Sequence, residues 1–486
     1  MMVPWVTQNY QHKSLNVSPC RTVNWYVENV AQPESKSQSI LMPTPATVLS
    51  WDLSNISVGA IRGTHFTSTS RFFVVAGGSL IELPNPNGSS GFSSPVERMT
   101  VSDVGLMSIT DNGKYLVMAD GFSLLLYNLD TDVSATPTYT FTNPSFVEYI
   151  DNKVVATNGS NQFYWCELGE DGPLIWPALN VASAELSADN IISMGIKDGE
   201  LWLFGDRSFE VWRIGTNPNL PFNRVGGTGT EIGCGAPYSV ATIGGQIFWL
   251  GSSNAGKDQV FVSNGYGAQE VSNPTIQHLI SSSADYSTSS VGFAYQQNSH
   301  TFYVLNLIDA NKTIVFDTTT GAWHERATRD PDNNILNRWV GLYASYAFGK
   351  VYVGHSNEPK ILELDLDAYE EYDGRAIVRI HQGPVLWKNL TNVVHSEFLV
   401  DMETGVGLQN GQGSDPQAML QYSDDSGHTW SSEMWTDIGE VGKYATRVSW
   451  RRLGASRNRV YRLTISDPVK PVIIAGRAVV SRASKR

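Results

Sequence analysis

Apolar and polar positions alternate along this chain in short bursts, and the bursts repeat. A strand-like run, a tight turn, a second and more apolar run, another turn and a third run recur seven times between Ser57 and Asp367. One copy reads Ile191-Ile192-Ser193-Met194-Gly195-Ile196, a turn at Lys197-Asp198-Gly199, then Glu200-Leu201-Trp202-Leu203-Phe204-Gly205. A turn at Asp206-Arg207 leads into Ser208-Phe209-Glu210-Val211-Trp212-Arg213-Ile214. The middle runs begin at Arg71, Lys114, Lys153, Glu200, Gln246, Thr301 and Lys350, spacings of 43, 39, 47, 46, 55 and 49 residues. Runs such as Phe72-Phe73-Val74-Val75-Ala76 and Tyr115-Leu116-Val117-Met118-Ala119 have almost no polar position. That predicts strands covered on both faces. The turns before the middle runs carry Asn112-Gly113, Asp151-Asn152, Gly244-Gly245 and Phe348-Gly349, mostly residues that tolerate positive φ. A strand-only period of roughly 40–50 residues predicts the blades of a β-propeller, six or seven of them. One blade cannot bury its own faces, so blades stack around an axis into a rigid platform with an axial channel.

The flanks differ. Residues 1–51 are rich in Pro, Ser and Asn, with short apolar bursts such as Val23-Asn24-Trp25-Tyr26-Val27, and read as an extended arm. The propeller is assigned to 52–370. Beyond an acidic stretch the rhythm lengthens, and 375–387, 393–402, 418–423, 446–453, 459–465 and 472–481 read as six longer strands. With no helical pattern between them, they predict a β-sandwich-like domain over 371–486. The expected fold class is therefore all-β, a propeller followed by a sandwich.

Composition agrees. The chain has 486 residues, 41% hydrophobic and 11% aromatic, with 43 Gly and 22 Pro, enough for large cores joined by many tight turns. Charged residues are only 17%, which points toward contact between subunits. The opening Met1-Met2-Val3-Pro4-Trp5 lacks the basic and apolar regions of a secretory signal. No apolar run approaches the roughly 18–20 residues of a membrane helix. Cys20, Cys166 and Cys234 are scattered without zinc-like spacing and read as thiols of a reducing cytosol. The net charge of −13 is unevenly placed. From Val441 onward there are twelve Lys or Arg and one acid, Asp467, leaving −24 on the rest. An acidic body with a basic end suggests a docking surface for an acidic neighbour.

Candidate chemistry adds little to this. Ser423-x-Asp425-x-Gly427-x-Thr429-Trp430 matches the Asp-box pattern, whose physics is a stapled hairpin turn. Sialidase propellers carry several such boxes in their blades; this chain has one, outside them. Gly226-Gly227-Thr228-Gly229 lacks the Lys-Ser/Thr and the helix that a phosphate loop needs. The acidic groups Glu167-Glu170-Asp171, Asp365-Asp367 and Glu370-Glu371-Asp373 lack a calcium-loop spacing and read as solvated faces. The histidines His65, His278, His300, His324 and His355 are isolated, and no G-x-S-x-G elbow occurs. No catalytic, cofactor-binding or metal-binding residue is assigned, and the chain is read as not an enzyme. Two interaction sites are. Arg447, Arg451, Arg452, Arg457, Arg459 and Arg462 form a basic run, with alternation along 457–465 leaving one face basic and the other apolar; its arginine forks suit carboxylates or phosphates, and a protein interface is favoured over a nucleic-acid grip because the whole chain is acidic and no aromatic–basic interleaving marks a base-reading surface. The loop from Gly215 to Gly235, with Pro218, Pro221, Phe222 and Arg224, is long enough to be functional.

Several segments resemble a known family. Cys20-Arg21-Thr22-Val23-Asn24-Trp25-Tyr26-Val27-Glu28 with Pro43-Thr44-Pro45 is similar to the start of phage packaged-DNA stabilisation proteins, the tail hub or nozzle of short-tailed phages. So are Ser208-Phe209-Glu210-Val211-Trp212 through Pro221-Phe222 to Gly233-Cys234-Gly235-Ala236-Pro237-Tyr238-Ser239-Val240, the pair Val260-Phe261, and Trp450-Arg451-Arg452-Leu453-Gly454. The resemblance implies a structural protein of the virion tail, assembled in the host cytoplasm. It implies a ring of six copies below the portal and its adaptor ring, closing the DNA exit channel with a tail needle or plug. Tailspikes or fibres attach outside. Double-stranded DNA passes without sequence-specific binding, and no membrane anchor is implied. An acidic wall would let phosphates slide where a basic one would hold them. The acidic propeller is therefore expected to face the channel, and the basic C-terminal domain to meet acidic neighbours. A carbohydrate-binding or sialidase-like propeller is the alternative.

Overall fold

The computed structural model describes residues 2–88, 91–167, 174–187, 189–217, 219–227, 230–253, 256–389 and 391–482. Seven antiparallel blades follow one another around an axis. Their second strands are Phe72–Ala76, Tyr115–Ala119, Lys153–Thr157, Glu200–Gly205, Gln246–Ser253, His300–Leu307 and Lys350–His355, the seven apolar runs of the sequence. These strands are almost wholly buried, because each blade's two faces pack against its neighbours. Leu126, Val154 and Cys166 share one such interblade cluster, and Val155, Trp165 and Leu203 share the next. The long spacing of 55 residues between the fifth and sixth runs holds a helix, Pro274–Ser281, capped by the Asn273 side chain on Thr275 N and Ile276 N.

Each blade has a fourth, outer strand. Four of them are Val96–Thr100, Val133–Ala135, Val181–Ser183 and Phe222–Arg224. The outer strand of the seventh blade comes from the other end of the propeller's sequence. Ala46–Asp52 pairs antiparallel with Lys360–Asp365, from Asp52 against Lys360 to Ala46 against Asp365. Closing the ring this way removes the free edge that an open stack of blades would leave.

The sandwich has two sheets. One contains Arg379–Gln382, Asn458–Ile465, Gln417–Ser423 and Met434–Asp437; the other contains Ile473–Arg482, Val393–Met402 and Val448–Arg451. All six strands expected from the sequence are present. Between the sheets lie Phe398, Val400, Leu420, Tyr461, Leu463 and Ile473.

Residues 1–51, read as an extended arm, are divided between both domains. Pro19–Val23 joins the first sandwich sheet beside Arg379–Gln382 and touches the sixth blade through a parallel bridge from Val23 to Glu325. Trp25–Asn29 pairs with Ser39–Pro43 in the second sandwich sheet. Between these strands stands Asn24, buried, with φ of +57°, a left-handed conformation that asparagine tolerates. Its amide donates to Ala327 O at 2.9 Å and to Val378 O at 2.8 Å, and its carbonyl accepts from Ala327 N at 3.0 Å. One side chain thus bonds like a peptide group to the outer strand of the sixth blade and to the entry of the sandwich. Strand alternation then sends adjacent residues to opposite sides. Trp25 enters the sandwich core and donates from its indole N–H to Pro471 O at 2.8 Å. Tyr26 enters the cluster between the sixth and seventh blades, edge-on to Phe302 at 5.3 Å.

The same segment explains why His324, Glu325 and Arg326 are buried in an outer blade strand. Arg21 forks onto Glu325 at 3.0 and 2.9 Å, and Asn9 donates to it at 3.3 Å. Arg326 stacks 3.5 Å over the Trp339 ring and donates to Pro45 O at 2.8 Å. Burial pushes His324 down to about 3 and His381 down to about 4, the latter despite its bond to Trp5 O.

Two outcomes follow for stability. Asn24→Gly keeps the turn but removes three hydrogen bonds to backbone groups, two of them buried, and lowers stability by on the order of 3 kcal/mol in urea unfolding. Asn24→Ala adds about 1 kcal/mol for the left-handed backbone. The buried histidines set the acid limb. His324, His355, His381 and His395 all have folded values well below their ordinary one. The unfolded chain takes up protons below about pH 6.5 and the folded chain does not. Stability is then full above that pH and falls progressively as pH drops toward about 4. His300, raised by its bond to Asp317, opposes this in one position. A urea midpoint unchanged between pH 7 and 5 would contradict the assignment.

Candidate functional site

The basic run of the C-terminal domain is split by the fold. Val448–Arg451 alternates, with Val448 and Trp450 turned into the core and Arg447 and Arg451 on the outer face. Both reach Glu397 on the neighbouring strand, at 3.6 and 3.1 Å, and both remain largely exposed. Arg452 and Arg457 are also exposed, Arg452 at φ +61° where the chain turns. Arg477, not singled out from the sequence, is exposed and pairs in register with Leu399. With Arg447 it flanks a shallow cleft of about 300 Å³ between Leu399, Asp401 and Ala475.

Arg459 and Arg462 do not belong to this face. They lie on the first sandwich sheet, three residues apart, and so on opposite sides of one strand. The expected single basic face over 457–465 is therefore incorrect, because Arg459 shares its parity with the core residues Tyr461, Leu463 and Ile465. Arg459 is buried at the sheet end, forking onto Asp424 at 2.7 and 2.8 Å over the Tyr422 ring. Arg462 stacks 3.9 Å over Trp430 and donates to Gln421. Both are structural.

The Asp box is the staple its pattern implies. Thr429 N donates to Asp425 Oδ1 at 2.9 Å, Gly427 N donates to Ser423 Oγ at 2.7 Å, and Gly427 takes φ of +107°. The bonds from Ser423 and Thr429 hold the Asp425 carboxyl well below the usual range.

The loop assigned to 215–235 is not one loop. Phe222–Arg224 is the outer strand of the fourth blade, and Ile232–Cys234 pairs in the fifth. Phe222 is fully buried, 5.4 Å from the Phe163 ring and 5.3 Å from Trp165, so it is core and unavailable to a partner. Pro221 is buried and its carbonyl accepts from Gly215 N. Arg224 is exposed, 3.8 Å from Glu210. Pro218, Thr228 and Gly229 lie outside the described residues, as do Glu170 and Asp171. Of the acidic groups, Glu371 is buried rather than solvated; it accepts from Thr47 Oγ1 beside Arg326, and burial raises its carboxyl.

Along the propeller axis the inner strands of all seven blades enclose a cavity of about 400 Å³. Phe146, Met194, Tyr238 and Phe293 narrow it, and Glu148 faces it. Glu148 retains some exposure to the channel, yet the surrounding protein pushes its carboxyl up to about 8. Burial opposes the charge of Asp111, but its bonds from His65 at 2.8 Å and from Ser68 hold it down to about 2. The three cysteines are buried and form no disulfide. Among the described residues no group of three His, Cys, Asp or Glu is placed to hold a metal. Among the described residues no helix is long and apolar enough to cross a membrane.

The propeller and the sandwich are joined through a shared segment, and Arg447, Arg451 and Arg477 stand on the outer face of the second sandwich sheet. The family described as bacteriophage P22 Gp10, beta-propeller, matches residues 24–369, and that described as bacteriophage P22 Gp10, beta-sandwich, matches 379–481. The chain belongs to this family of phage structural proteins. No curated protein matches its sequence. Among solved structures, it is similar to the extracellular domain of the BT4673 two-component system of B. thetaiotaomicron. The TM-score is 0.44 at 10% identity, over 65% of this chain and 39% of that one. It spans well under half of that chain's length. The N-terminal domain of Nup159 gives a TM-score of 0.40 at 10% identity, over 71% of this chain and 98% of that one.

Substitution separates core from surface in the fourth blade. Phe222→Ala lowers stability by about 3–5 kcal/mol, whereas Arg224→Ala stays within about 0.5 kcal/mol. Equal urea midpoints for the two variants would refute this placement.

Proposed function

We propose that this protein is a tail hub, or nozzle, of a short-tailed phage. Copies form a ring, of six, below the portal-adaptor ring, extending the DNA exit channel and closing it with a tail needle or plug. Tailspikes or fibres attach to its outside. The observation that carries this reading is the family match across both domains, 24–369 and 379–481.

Two physical features support it. The axial cavity of about 400 Å³ is of small-molecule size, so a duplex passes between copies and not through one propeller. The shared N-terminal segment fixes the two domains to each other, as a ring that carries mechanical load requires. The acidic propeller faces the DNA, where it repels phosphates, and the exposed Arg447, Arg451, Arg452 and Arg457 meet acidic neighbours. The carbohydrate reading gains nothing from the family match, and it predicts several Asp boxes within the blades, whereas the single Asp box lies outside them.

Cryo-electron microscopy of the virion vertex tests the arrangement directly. A ring of this chain with an acidic lumen is expected; an arginine-lined lumen would overturn the orientation. Reversing the exposed Arg452 and Arg457 to Glu, which leaves the pairs of Arg447 and Arg451 with Glu397 intact, leaves the melting transition nearly unchanged, since exposed sites contribute little. The same variant loses ring assembly on the adaptor, and in the wild type that assembly weakens as salt rises. Unaltered assembly in the variant would remove these arginines from the interface.

A further inference from the structure

Glu148 stands on the inner strand of the third blade, Phe146–Ile150. Ile150 on that strand and Met194 on the inner strand of the fourth blade belong to one apolar cluster, against which Phe146 also packs. Strand alternation puts Glu148 on the same side as Phe146 and Ile150. Its carboxyl therefore lies in an apolar notch that opens on the axial cavity of about 400 Å³. Glu148 and Phe146 are only half-buried, and neither carboxylate oxygen is closed off from solvent. Among the described residues the carboxyl has no hydrogen-bond or ion-pair partner.

Nothing around it supplies a balancing charge. The ionisable groups on the strands packed against it are Asp111 and Tyr115 in the second blade, Tyr149 and Lys153 in its own, and Lys197 in the fourth. His65, Tyr238 and Tyr343 lie elsewhere on the cavity wall, and His65 is bonded to Asp111. Arg62, close to Tyr238 and Tyr343, spends its guanidinium on the carbonyls of Gly77, Ser102, Val104 and Gly105. None of these groups shifts Glu148; burial alone raises it, to about 8. A carboxylate in apolar surroundings without a counter-charge is unfavourable. A proton relieves it, and so does a cation from solution.

The wall beside Glu148 says which cation. The Phe146 and Tyr238 rings are 5.1 Å apart, and the Tyr238 hydroxyl donates to Leu106 O at 3.1 Å, which fixes that ring across the channel. Phe293 and Tyr343 add two more aromatic side chains. Aromatic faces attract cations, and carbon attached to the charge gains from an apolar wall. A bare metal ion of the calcium class requires roughly six to eight oxygen ligands; Glu148 supplies one carboxylate, and among the described residues no three His, Cys, Asp or Glu converge. We infer that the axial cavity binds a small organic cation, an alkylammonium whose charge is met by Glu148 and whose carbon is met by Phe146, Met194, Tyr238 and Phe293. The site is independent of the tail-hub reading, because it rests on the propeller interior alone.

The test uses the full chain with tetramethylammonium as probe and tert-butanol as its neutral counterpart of similar size. At constant ionic strength, saturation-transfer NMR detects bound tetramethylammonium and no bound tert-butanol. Binding requires the ionised carboxylate. With Glu148 at about 8, roughly one-tenth is ionised at pH 7 and roughly nine-tenths at pH 9, so the probe binds about tenfold more tightly at pH 9. Tyr238 and Tyr343 are both raised and stay neutral over this range. Glu148→Gln keeps the size, removes the charge, and abolishes both the binding and its pH dependence while circular dichroism is unchanged. If that variant fails to fold, the pH ratio and the tert-butanol comparison in the wild type decide. Equimolar sodium leaves the probe bound. Equal saturation of tert-butanol, equal affinity at pH 7 and 9, retained binding in Glu148→Gln, or displacement by sodium overturns the assignment.

Discussion

Asn24 occupies a place where both domains would otherwise be left with open backbone groups. An outer blade strand ordinarily faces water, and the first strand of a sandwich ordinarily begins at a loop. Here the two are brought together, and burying them requires acceptors and donors for the peptide groups on each side. A single side-chain amide supplies three bonds, to Ala327 N, Ala327 O and Val378 O. Its left-handed backbone also turns the chain from one sandwich sheet into the other. The ion pair of Arg21 with Glu325, the stacking of Arg326 on Trp339 and the insertion of Tyr26 between blades all follow from that placement.

This junction changes what the N-terminal segment is. It contributes strands to both sandwich sheets and then the outer strand of the seventh blade, so neither domain is complete without it. The two cores are filled by adjacent residues, Trp25 on one side and Tyr26 on the other. A load applied to the sandwich reaches the propeller through hydrogen-bonded strands instead of a flexible linker. For a phage structural protein that is a mechanical property, and it arises from strand alternation across one shared segment.

Charge is organised by the same logic. Part of the positive surplus of the C-terminal region lies on the outer face of the second sandwich sheet, where Arg447, Arg451 and Arg477 stand outward from two strands whose other side is core. Arg459 and Arg462, close to them in sequence, hold the opposite sheet together. The distinction rests on the parity of each residue in its strand and on the presence of Asp424 and Trp430 beside them.

The repeat was legible because a strand packed on both faces must be apolar throughout. All seven second strands stand out at Phe72, Tyr115, Lys153, Glu200, Gln246, His300 and Lys350, and the six sandwich strands stand out through their length. The Asp box was legible for a similar reason, since its geometry is local to Ser423, Asp425 and Gly427. The outer blade strands were not: Val133–Ala135 and Phe222–Arg224 are short and half polar, and their pairing is set by the neighbour they meet. Nor could composition reveal that Phe222 is core, or that Arg459 is buried. Local pattern thus determined the blades, the sandwich strands and the stapled turn. Tertiary structure alone decided which distant segment closes the ring and which charges are buried, because these depend on contacts between residues far apart in the chain, such as Ala46 with Asp365, Arg21 with Glu325 and Arg459 with Asp424, that no periodicity encodes.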